Sequence, residues 1–510
     1  MHDAAPGMRP VQLLLRPADL LAIGLVLAFG VGLRLLYFSG LGLGDDVLLR
    51  LDIAALVRTG RPNISPTVYR FSWWLPSTLI ARWLGLGEAG LITPILLFDA
   101  AGIVVVYLVA KTLWDRTAGI LAALLVVATP LDFAWSTMLT TDVVLSVFAA
   151  LTLLFATRAL EEVDPTWQRR DWLFAAICLW LAYHAKLSAL FLLPVIVCIC
   201  WAERDRLTGT VGTFIVATAV LLGGTFVVTY ILSGDPLFAY HLEMKLQGLT
   251  GVDAKGHPAT LPHILLFGKW LFWPIWTGSF LFSFYPHVLV LLVLLGFFFG
   301  VRPRAVPVWW FVFMFLGMTF NVQRSEGMWV AGFRNVRHAH VFVYPIALLV
   351  TGYLVAWSAR HRPSATAVAV ALIAVGLWQS ITTARLTHVT FGDMRHAVQF
   401  LATLPPKPVY SDSQLGIWLG FAGMDEKGWT IQALVRPTPE ERRETLATVK
   451  TGYLVTGGGR EPYYGCTSCI PRADEVPADR WTLLKEFPDP VPPSSLRPEP
   501  LRIWERNDLP

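Results

Sequence analysis

The sequence predicts a polytopic α-helical membrane protein, with about 11 transmembrane helices and a small C-terminal α/β domain outside the cytoplasm. Of the 510 residues, 55% are hydrophobic and 15% are charged, whereas roughly 25% are charged in an ordinary soluble domain. Apolar runs of about 17–25 residues, the length that crosses a bilayer, recur along most of the chain. The formal net charge of +5 comes from short basic clusters between these runs, so no nucleic-acid partner is expected.

The predicted spans divide the chain into a membrane domain at 1–389, with a large outer loop at 39–90, and a soluble domain at 390–510. The fifth and sixth spans are short enough to form one hairpin that ends below the outer surface. The spans are 18–38, 91–113, 118–135, 141–157, 172–184, 187–202, 211–232, 284–300, 306–321, 339–357 and 364–382.

Basic residues in the short loops indicate the orientation of the chain, because such loops face the cytoplasm. With the N-terminus inside, clusters such as Arg169-Arg170 and the pair Arg302 and Arg304 also lie inside. An odd number of spans then places the 390–510 domain outside. The first apolar run exceeds the ~7–15 residues of a signal-peptide core, so we interpret it as a span. We expect a multi-pass protein of the bacterial inner membrane, embedded in membrane lipids.

An acidic pair follows the first predicted span, in the sequence Gly42-Leu43-Gly44-Asp45-Asp46. Adjacent carboxylates at the end of a membrane helix are costly to place and must face water, cations or a reacting group. The pair Asp45 and Asp46 is therefore the first candidate for a functional site.

Asp142 and Lys186 are two further ionisable residues beside apolar runs. Asp142 starts the fourth span, where a carboxylate also suits the helix N-terminus and where Thr140 and Thr141 compete as caps. Lys186 lies in the predicted hairpin and can either extend to the lipid headgroups or face a polar cavity. The residue pattern alone leaves both alternatives open.

Arginines cluster in two loops that the predicted orientation places outside. One explanation is that they lie on interfacial helices and contact lipid phosphate. The other is that some of them bind the phosphate of a substrate, which suits the planar guanidinium group. For any single arginine the lipid explanation is favoured. The arginines are Arg50, Arg58, Arg61, Arg70 and Arg82 in the first loop, and Arg324, Arg334 and Arg337 in the second.

The C-terminal segment is predicted to form a soluble α/β domain, with strand-like runs at 408–411 and 451–456 and a charged helix at 439–450. Cys466 and Cys469 lie in this domain. In an oxidising compartment the pair indicates a local disulfide, and a zinc site would need two further ligands that are not evident nearby.

The order of these motifs resembles the GT-C superfamily of membrane glycosyltransferases, and within it the branch of protein O-mannosyltransferases and the lipid A aminoarabinose transferase. The shared features are the acidic pair after helix one, the Thr-Asp at helix four, the lysine after helix five, an arginine before a proline-containing late helix, and an outer C-terminal domain.

The resemblance implies transfer of a sugar from a polyprenyl-phosphate carrier to a lipid, glycan or protein acceptor on the outer side, with inversion at the sugar carbon. It implies that Asp45 or its neighbour Asp46 is the general base and that Asp142 is a second acidic residue of the active site. Lys186 and Arg337 match positions associated with the carrier phosphate.

Several points stay open at the level of sequence. Arg70 and Arg50 join Lys186 and Arg337 as candidate ligands of the donor phosphate, on the strength of their position in the outer loop. The donor sugar, the acceptor and the participation of a divalent metal ion are not determined. The alternative function is a transporter or flippase of polyprenyl-linked sugars or lipids, although the two related halves common in transporters are absent from the sequence.

Overall fold

The protein is described by a computed structural model. The described residues are 15–38, 40, 47–61, 69–242, 296, 304–320, 322–325, 328–331, 336–411, 419–420, 422, 424, 427–433, 439–456, 473–487 and 500–506. Asp45, Asp46, Cys466 and Cys469 lie outside these residues, as does the predicted span 284–300 apart from Gly296.

The described part of the membrane domain is a bundle of helices. Two 3-10 helices, Leu187–Phe191 and Val336–Phe342, lead into α9 and α12. The α-helices are α1 (Pro17–Leu36), α2 (Val47–Thr59), α3 (Phe71–Leu84), α4 (Glu88–Leu113), α5 (Arg116–Ala128), α6 (Pro130–Trp135), α7 (Asp142–Glu161), α8 (Pro165–Tyr183), α9 (Leu192–Ala202), α10 (Val211–Ser233), α11 (Ala305–Thr319), α12 (Val343–Ser358) and α13 (Arg362–Leu401).

The predicted spans that fall on described residues all correspond to helical segments. Six helical stretches of the described part are long and apolar enough to cross a membrane, and the polytopic helical class is thereby confirmed. These stretches are Pro17–Leu36, Glu88–Leu113, Asp142–Glu161, Val211–Ser233, His338–Ser358 and Arg362–Arg385.

One predicted span, 118–135, is interrupted in the structure. Helix α5 ends at Ala128, and α6 begins at Pro130 after Thr129 in an extended conformation with ψ 120°. Proline cannot donate the helical hydrogen bond, and it disfavours the helical conformation of the residue before it. The break separates α6 from α5, and Asp132 of α6 lies in the interior of the protein, where its side chain is fully buried.

Helix α7 lies at the centre of the bundle, packed against α4 and α8. Within its apolar window, 78% of the residues are buried inside the protein. Gly102 of α4 allows close packing against both α12 and α7, because a Cβ at that position would overlap the hydroxyl of Tyr344 and lie 3.2 Å from Cγ2 of Val147.

The predicted outer loop 39–90 contains helices α2 and α3; α2 packs on α3, and α3 packs on α4. Trp73 is fully buried in the core, whereas Trp83 is 85% exposed. Arg82 donates to the carbonyl oxygen of Leu56 at 3.2 Å, which ties α3 to α2. Helix α3 therefore has one face in the core and another on the surface of the protein.

Two short strands, β1 (Val322–Ser325) and β2 (Met328–Ala331), form an antiparallel hairpin. The C-terminal domain holds a five-stranded sheet in the order β4-β3-β5-β7-β6, in which β3 pairs in parallel with β4 and β5. The predicted strands and helix of this domain are confirmed. Its elements are β3 (Val409–Ser411), β4 (Ile431–Ala433), α14 (Pro439–Thr448), β5 (Tyr453–Thr456), β6 (Trp481–Phe487) and β7 (Leu501–Arg506).

Helix α13 connects the bundle to this sheet. It has 40 residues, or roughly 60 Å at a rise of about 1.5 Å per residue. Its first part is apolar enough to span a membrane, and its last turns place Ala397, Val398 and Leu401 in the core of the C-terminal domain. One continuous helix thus crosses the position at which the sequence analysis divides the chain.

Candidate active site

Asp142 and Lys186 form an ion pair at the first turn of α7. The Lys186 ammonium donates to Oδ1 of Asp142 at 2.7 Å, and the Thr140 hydroxyl donates to Oδ2 at 2.9 Å. The Asp142 side chain is 2% exposed and that of Lys186 is 14% exposed. Lys186 reaches this position because it lies in the tight turn between α8 and the 3-10 helix Leu187–Phe191.

This ion pair answers two questions that the residue pattern leaves open. The N-cap of α7 is Thr141, whose side chain makes no capping hydrogen bond, and Asp142 is the first residue of the helix. Lys186 contacts a buried carboxylate instead of extending to the lipid headgroups. The two predicted site residues are therefore brought together, although they are far apart in the sequence.

Arg70 is held close to the Lys186 turn through His184. The Nδ1 atom of His184 lies 2.8 Å from the carbonyl oxygen of Tyr69, and the ring of His184 packs on Phe71 at 4.1 Å between centroids. These contacts fix the residues on either side of Arg70, whose side chain is buried and donates to the Tyr69 hydroxyl at 3.3 Å. The start of α3 and the turn after α8 thus form one structural unit.

Arg50 and Arg337 occupy two other places in the fold. Arg50 is buried on α2 and faces the C-terminal domain, where a Cβ on Gly420 would lie 3.1 Å from its Nη1 atom. Arg337 lies in the 3-10 helix Val336–Phe342, while its side chain falls outside the described part of the chain. The predicted roles of both arginines remain predictions.

A buried charged cluster, absent from the predicted site, lies next to Asp142. Arg34 of α1 makes an ion pair with Asp132 of α6, and its Nε atom lies 2.8 Å from Oδ2 of Asp99 on α4. The same Nε donates to the Ser136 hydroxyl at 2.7 Å. The side chains of all three charged residues are completely buried. We call Arg34, Asp99, Asp132 and His340 the buried cluster.

His340 joins the buried cluster to α7. Its Nε2 atom lies 2.9 Å from Oδ1 of Asp132, and its Nδ1 atom lies 2.9 Å from the Ser146 hydroxyl oxygen. The Ser146 hydroxyl in turn donates to the backbone carbonyl of Asp142 at 2.9 Å. A continuous series of polar contacts therefore runs from α1 to the residue that holds Lys186.

The sequence contained a signal for the buried cluster. Arg34, Asp99 and Asp132 each lie within a predicted apolar span, and ionisable residues inside a membrane are rare and usually functional. Sequence spacing could not show that α1, α4, α6 and a 3-10 helix bring these three residues and His340 together. Within the described ranges, no group of three or more His, Cys, Asp and Glu side chains is arranged to hold a metal ion, and Arg34 supplies the cation between Asp99 and Asp132.

Comparison with known proteins identifies the architecture. Residues 71–230, which include both Asp142 and Lys186, match the family model of dolichyl-phosphate-mannose-protein mannosyltransferase. No curated protein matches the chain in sequence.

Solved structures share the fold at low sequence identity. ArnT from Cupriavidus metallidurans bound to undecaprenyl phosphate is similar with a TM-score of 0.55 and 14% identity, over 95% of this chain and 97% of that one. The Archaeoglobus fulgidus oligosaccharyltransferase tethered with an acceptor peptide has a TM-score of 0.51 and 12% identity, over 86% of this chain and 69% of that one. The mycobacterial arabinofuranosyltransferase AftD has a TM-score of 0.50 and 14% identity, over 96% of this chain and 40% of that one. The chain therefore shares the fold of these membrane glycosyltransferase structures, and its residues 71–230 match the mannosyltransferase family model.

Proposed function

We propose that the protein transfers a sugar from a polyprenyl-phosphate carrier to an acceptor hydroxyl or phosphate on the extracytoplasmic face of the bacterial inner membrane, with inversion at the anomeric carbon. The observation that carries the proposal is the Asp142–Lys186 ion pair, which lies inside the segment matched by the mannosyltransferase family. The similar ArnT structure contains undecaprenyl phosphate, which supports a lipid-phosphate donor for this chain as well.

In the proposed reaction, Asp45 takes the proton of the acceptor while the acceptor oxygen attacks the anomeric carbon. The bond between that carbon and the phosphate oxygen breaks, and the polyprenyl phosphate leaves with the electron pair. A phosphate is a good leaving group when cations bind its negative charge, so it needs no proton from an acid. The main proton transfer is therefore from the acceptor to the carboxylate. Asp46 shapes the electrostatic field around Asp45. Either member of the pair can be the base.

Lys186, Arg337, Arg70 and Arg50 are the proposed ligands of the donor phosphate. An ammonium group has three N–H donors, so Lys186 can contact a carboxylate and a phosphate together. The Asp142 carboxylate fixes the ammonium in one direction and keeps the cation in place as negative charge develops on the phosphate. Asp142 thus supports the reaction through Lys186.

The test is donor turnover in membranes that contain the protein. A panel of radiolabelled polyprenyl-phosphate sugars is supplied, and loss of label from the carrier is measured. We expect one sugar to be transferred, and Asp45→Asn to lower its transfer by about 10²–10⁴-fold, because the amide keeps the size but loses the basicity. Asp46→Asn is expected to be milder.

Asp235→Asn is the matched control. Asp235 is a carboxylate beyond the end of α10 that contacts His241 at 2.6 Å and lies outside the proposed site. Its variant is expected to transfer sugar normally. Near-normal transfer by Asp45→Asn, Asp46→Asn and the double variant would show that the general base lies elsewhere, whereas absence of transfer by the wild type would favour a carrier-lipid transporter.

A further inference from the structure

We propose that His340 is a positioning residue, whose imidazole fixes the relative positions of the three chain segments that carry the proposed active site. The inference rests on the proposed function for the identity of those segments. It concerns residues that neither the sequence motifs nor the family match assigns to the reaction.

The first step is the geometry of the ring. His340 is fully buried, and each of its nitrogen atoms has a partner on a different element: Asp132 on α6 and Ser146 on α7, both at 2.9 Å. Asp132 is also paired with Arg34 of α1. A single imidazole thereby links α1, α6, the first turns of α7 and the 3-10 helix in which it lies.

The second step is what these linked segments carry. Helix α1 leads into the Asp45-Asp46 pair, and the first turn of α7 holds Asp142. The 3-10 helix Val336–Phe342 holds Arg337, one turn before His340 at about three residues per turn. Three of the four linked segments, α1, α7 and the 3-10 helix, thus lead to, or contain, a residue of the proposed site.

The third step excludes a direct chemical role for the ring. Ser146, His340 and Asp132 have the residue types and contacts of a nucleophilic triad, but all three are at most 1% exposed. The Ser146 hydroxyl also donates to the carbonyl oxygen of Asp142. A nucleophile needs access to its substrate, whereas a positioning contact needs only rigidity.

The fourth step is the electrostatic setting. Arg34, Asp99 and Asp132 place two carboxylates around one guanidinium without exposure to water. The ring of Tyr344 packs edge-to-face on that of His340 at 5.8 Å between centroids. Charged groups in such surroundings accept few alternative arrangements, because any unpaired charge is expensive. The buried cluster therefore favours one relative arrangement of α1, α6 and His340.

The experiment compares the Ser146→Ala and His340→Phe variants with a matched control, Ser380→Ala. Ser380 is also a buried serine whose hydroxyl donates to a helix carbonyl, that of Ala128 at 3.1 Å, but its helix, α13, contributes no residue to the buried cluster. Donor kcat and KM and the thermal midpoint of unfolding are measured for each. We expect kcat to fall about 10–100-fold in the first two variants, as for a misplaced reacting group, and to stay normal in the control. His340→Gln, which keeps a donor and an acceptor, should recover part of kcat.

A readout that needs no transfer separates this inference from the proposed function. His340→Phe and Ser146→Ala should shift the unfolding midpoint non-additively, because the two side chains are in direct contact at 2.9 Å. Absence of transfer by the wild type would contradict the proposed function alone. Equal kcat in Ser146→Ala, His340→Phe and Ser380→Ala, or strictly additive midpoint shifts, would overturn the positioning role.

Discussion

At the scale of single residues, the contact between Asp142 and Lys186 makes a prediction about stability. Lys186→Met leaves the Asp142 carboxylate in a buried site without its ammonium partner, so the free energy of unfolding should fall by about 3 kcal/mol. The double variant with Asp142→Asn should lose less than the sum of the single variants, since no buried charge is left unpaired. Thermal or chemical unfolding in detergent measures both quantities.

Sugar transfer should respond differently from stability in these variants. The double variant is expected to regain stability but not transfer, because the phosphate ligand is still missing. The Arg158–Asp171 pair between α7 and α8 is a matched control, with an N–O distance of 3.2 Å and side chains 14% and 1% exposed. The double variant with Arg158→Met and Asp171→Asn should keep its transfer activity. Loss of transfer in both double variants to the same degree would point to a structural role for Lys186.

Arg337 provides a second prediction at this scale. Arg337→Ala should raise the donor KM or lower kcat by an amount equivalent to about 1.5–3 kcal/mol, the range of a charge-assisted hydrogen bond. Steady-state kinetics with the labelled donor supplies the measurement. Normal turnover of the donor by this variant would identify Arg337 as a contact to lipid headgroups, as the composition of its loop also permits.

At the scale of elements, α4 and α13 hold the end of α1. Glu88 at the start of α4 pairs with Arg395 of α13 at 3.2 Å, and Arg395 also lies 5.9 Å from the ring centroid of Phe38. Gly40 adopts φ +95°, and a Cβ there would lie 3.0 Å from the Glu88 carboxylate and 3.2 Å from the Arg395 guanidinium. The segment leading to Asp45 and Asp46 therefore starts from a fixed point.

We expect Gly40→Ala to lower sugar transfer as well as stability, because the methyl group strains the backbone and displaces the ion pair. Gly60→Ala is the matched control, since Gly60 also has a positive φ of +69° but has nothing within 4 Å of an added Cβ. Its variant should carry backbone strain without loss of transfer. Donor turnover and unfolding midpoints distinguish the two, and equal transfer by both variants would show that the Glu88–Arg395 pair does not position the acidic loop.

At the scale of the whole molecule, the topology sets the side of the membrane on which transfer takes place. The basic loops predict that residues 390–510 lie outside the cytoplasm, and α13 connects this domain to the bundle without interruption. An alkaline phosphatase fused after Pro510 should be active, while a reporter that requires the cytoplasm should be inactive there. The reverse result would place the proposed site on the cytoplasmic face.

The predicted outer location of the C-terminal domain also has a chemical consequence. Cys466 and Cys469 are expected to form a disulfide, so mass spectrometry of unreduced peptides should detect them as one linked species. Serine at both positions should lower the stability of this domain more than it lowers transfer. Two free thiols in protein isolated without reductant would contradict the prediction.

The sequence by itself determined the class of the molecule and most of its helices, because an apolar run of spanning length can satisfy its backbone only as a helix in lipid. The strands at 409–411 and 453–456 were also predictable from local pattern and proline content. Asp142 and Lys186 were predictable as site candidates for the same physical reason that makes ionisable groups rare in membranes. The break at Pro130 was readable in principle, but the long apolar run concealed it.

Only the tertiary structure decided which of these side chains meet. The pairing of Asp142 with Lys186 depends on the packing of α7 against α8 and on the tight turn that follows α8. The contacts of His340 with Asp132 and Ser146 join residues that are 208 and 194 positions apart. The periodicity of apolar residues shows which face of a single helix is buried, whereas a buried polar contact depends on the relative positions of several helices. Side-chain packing across the whole bundle determines those positions.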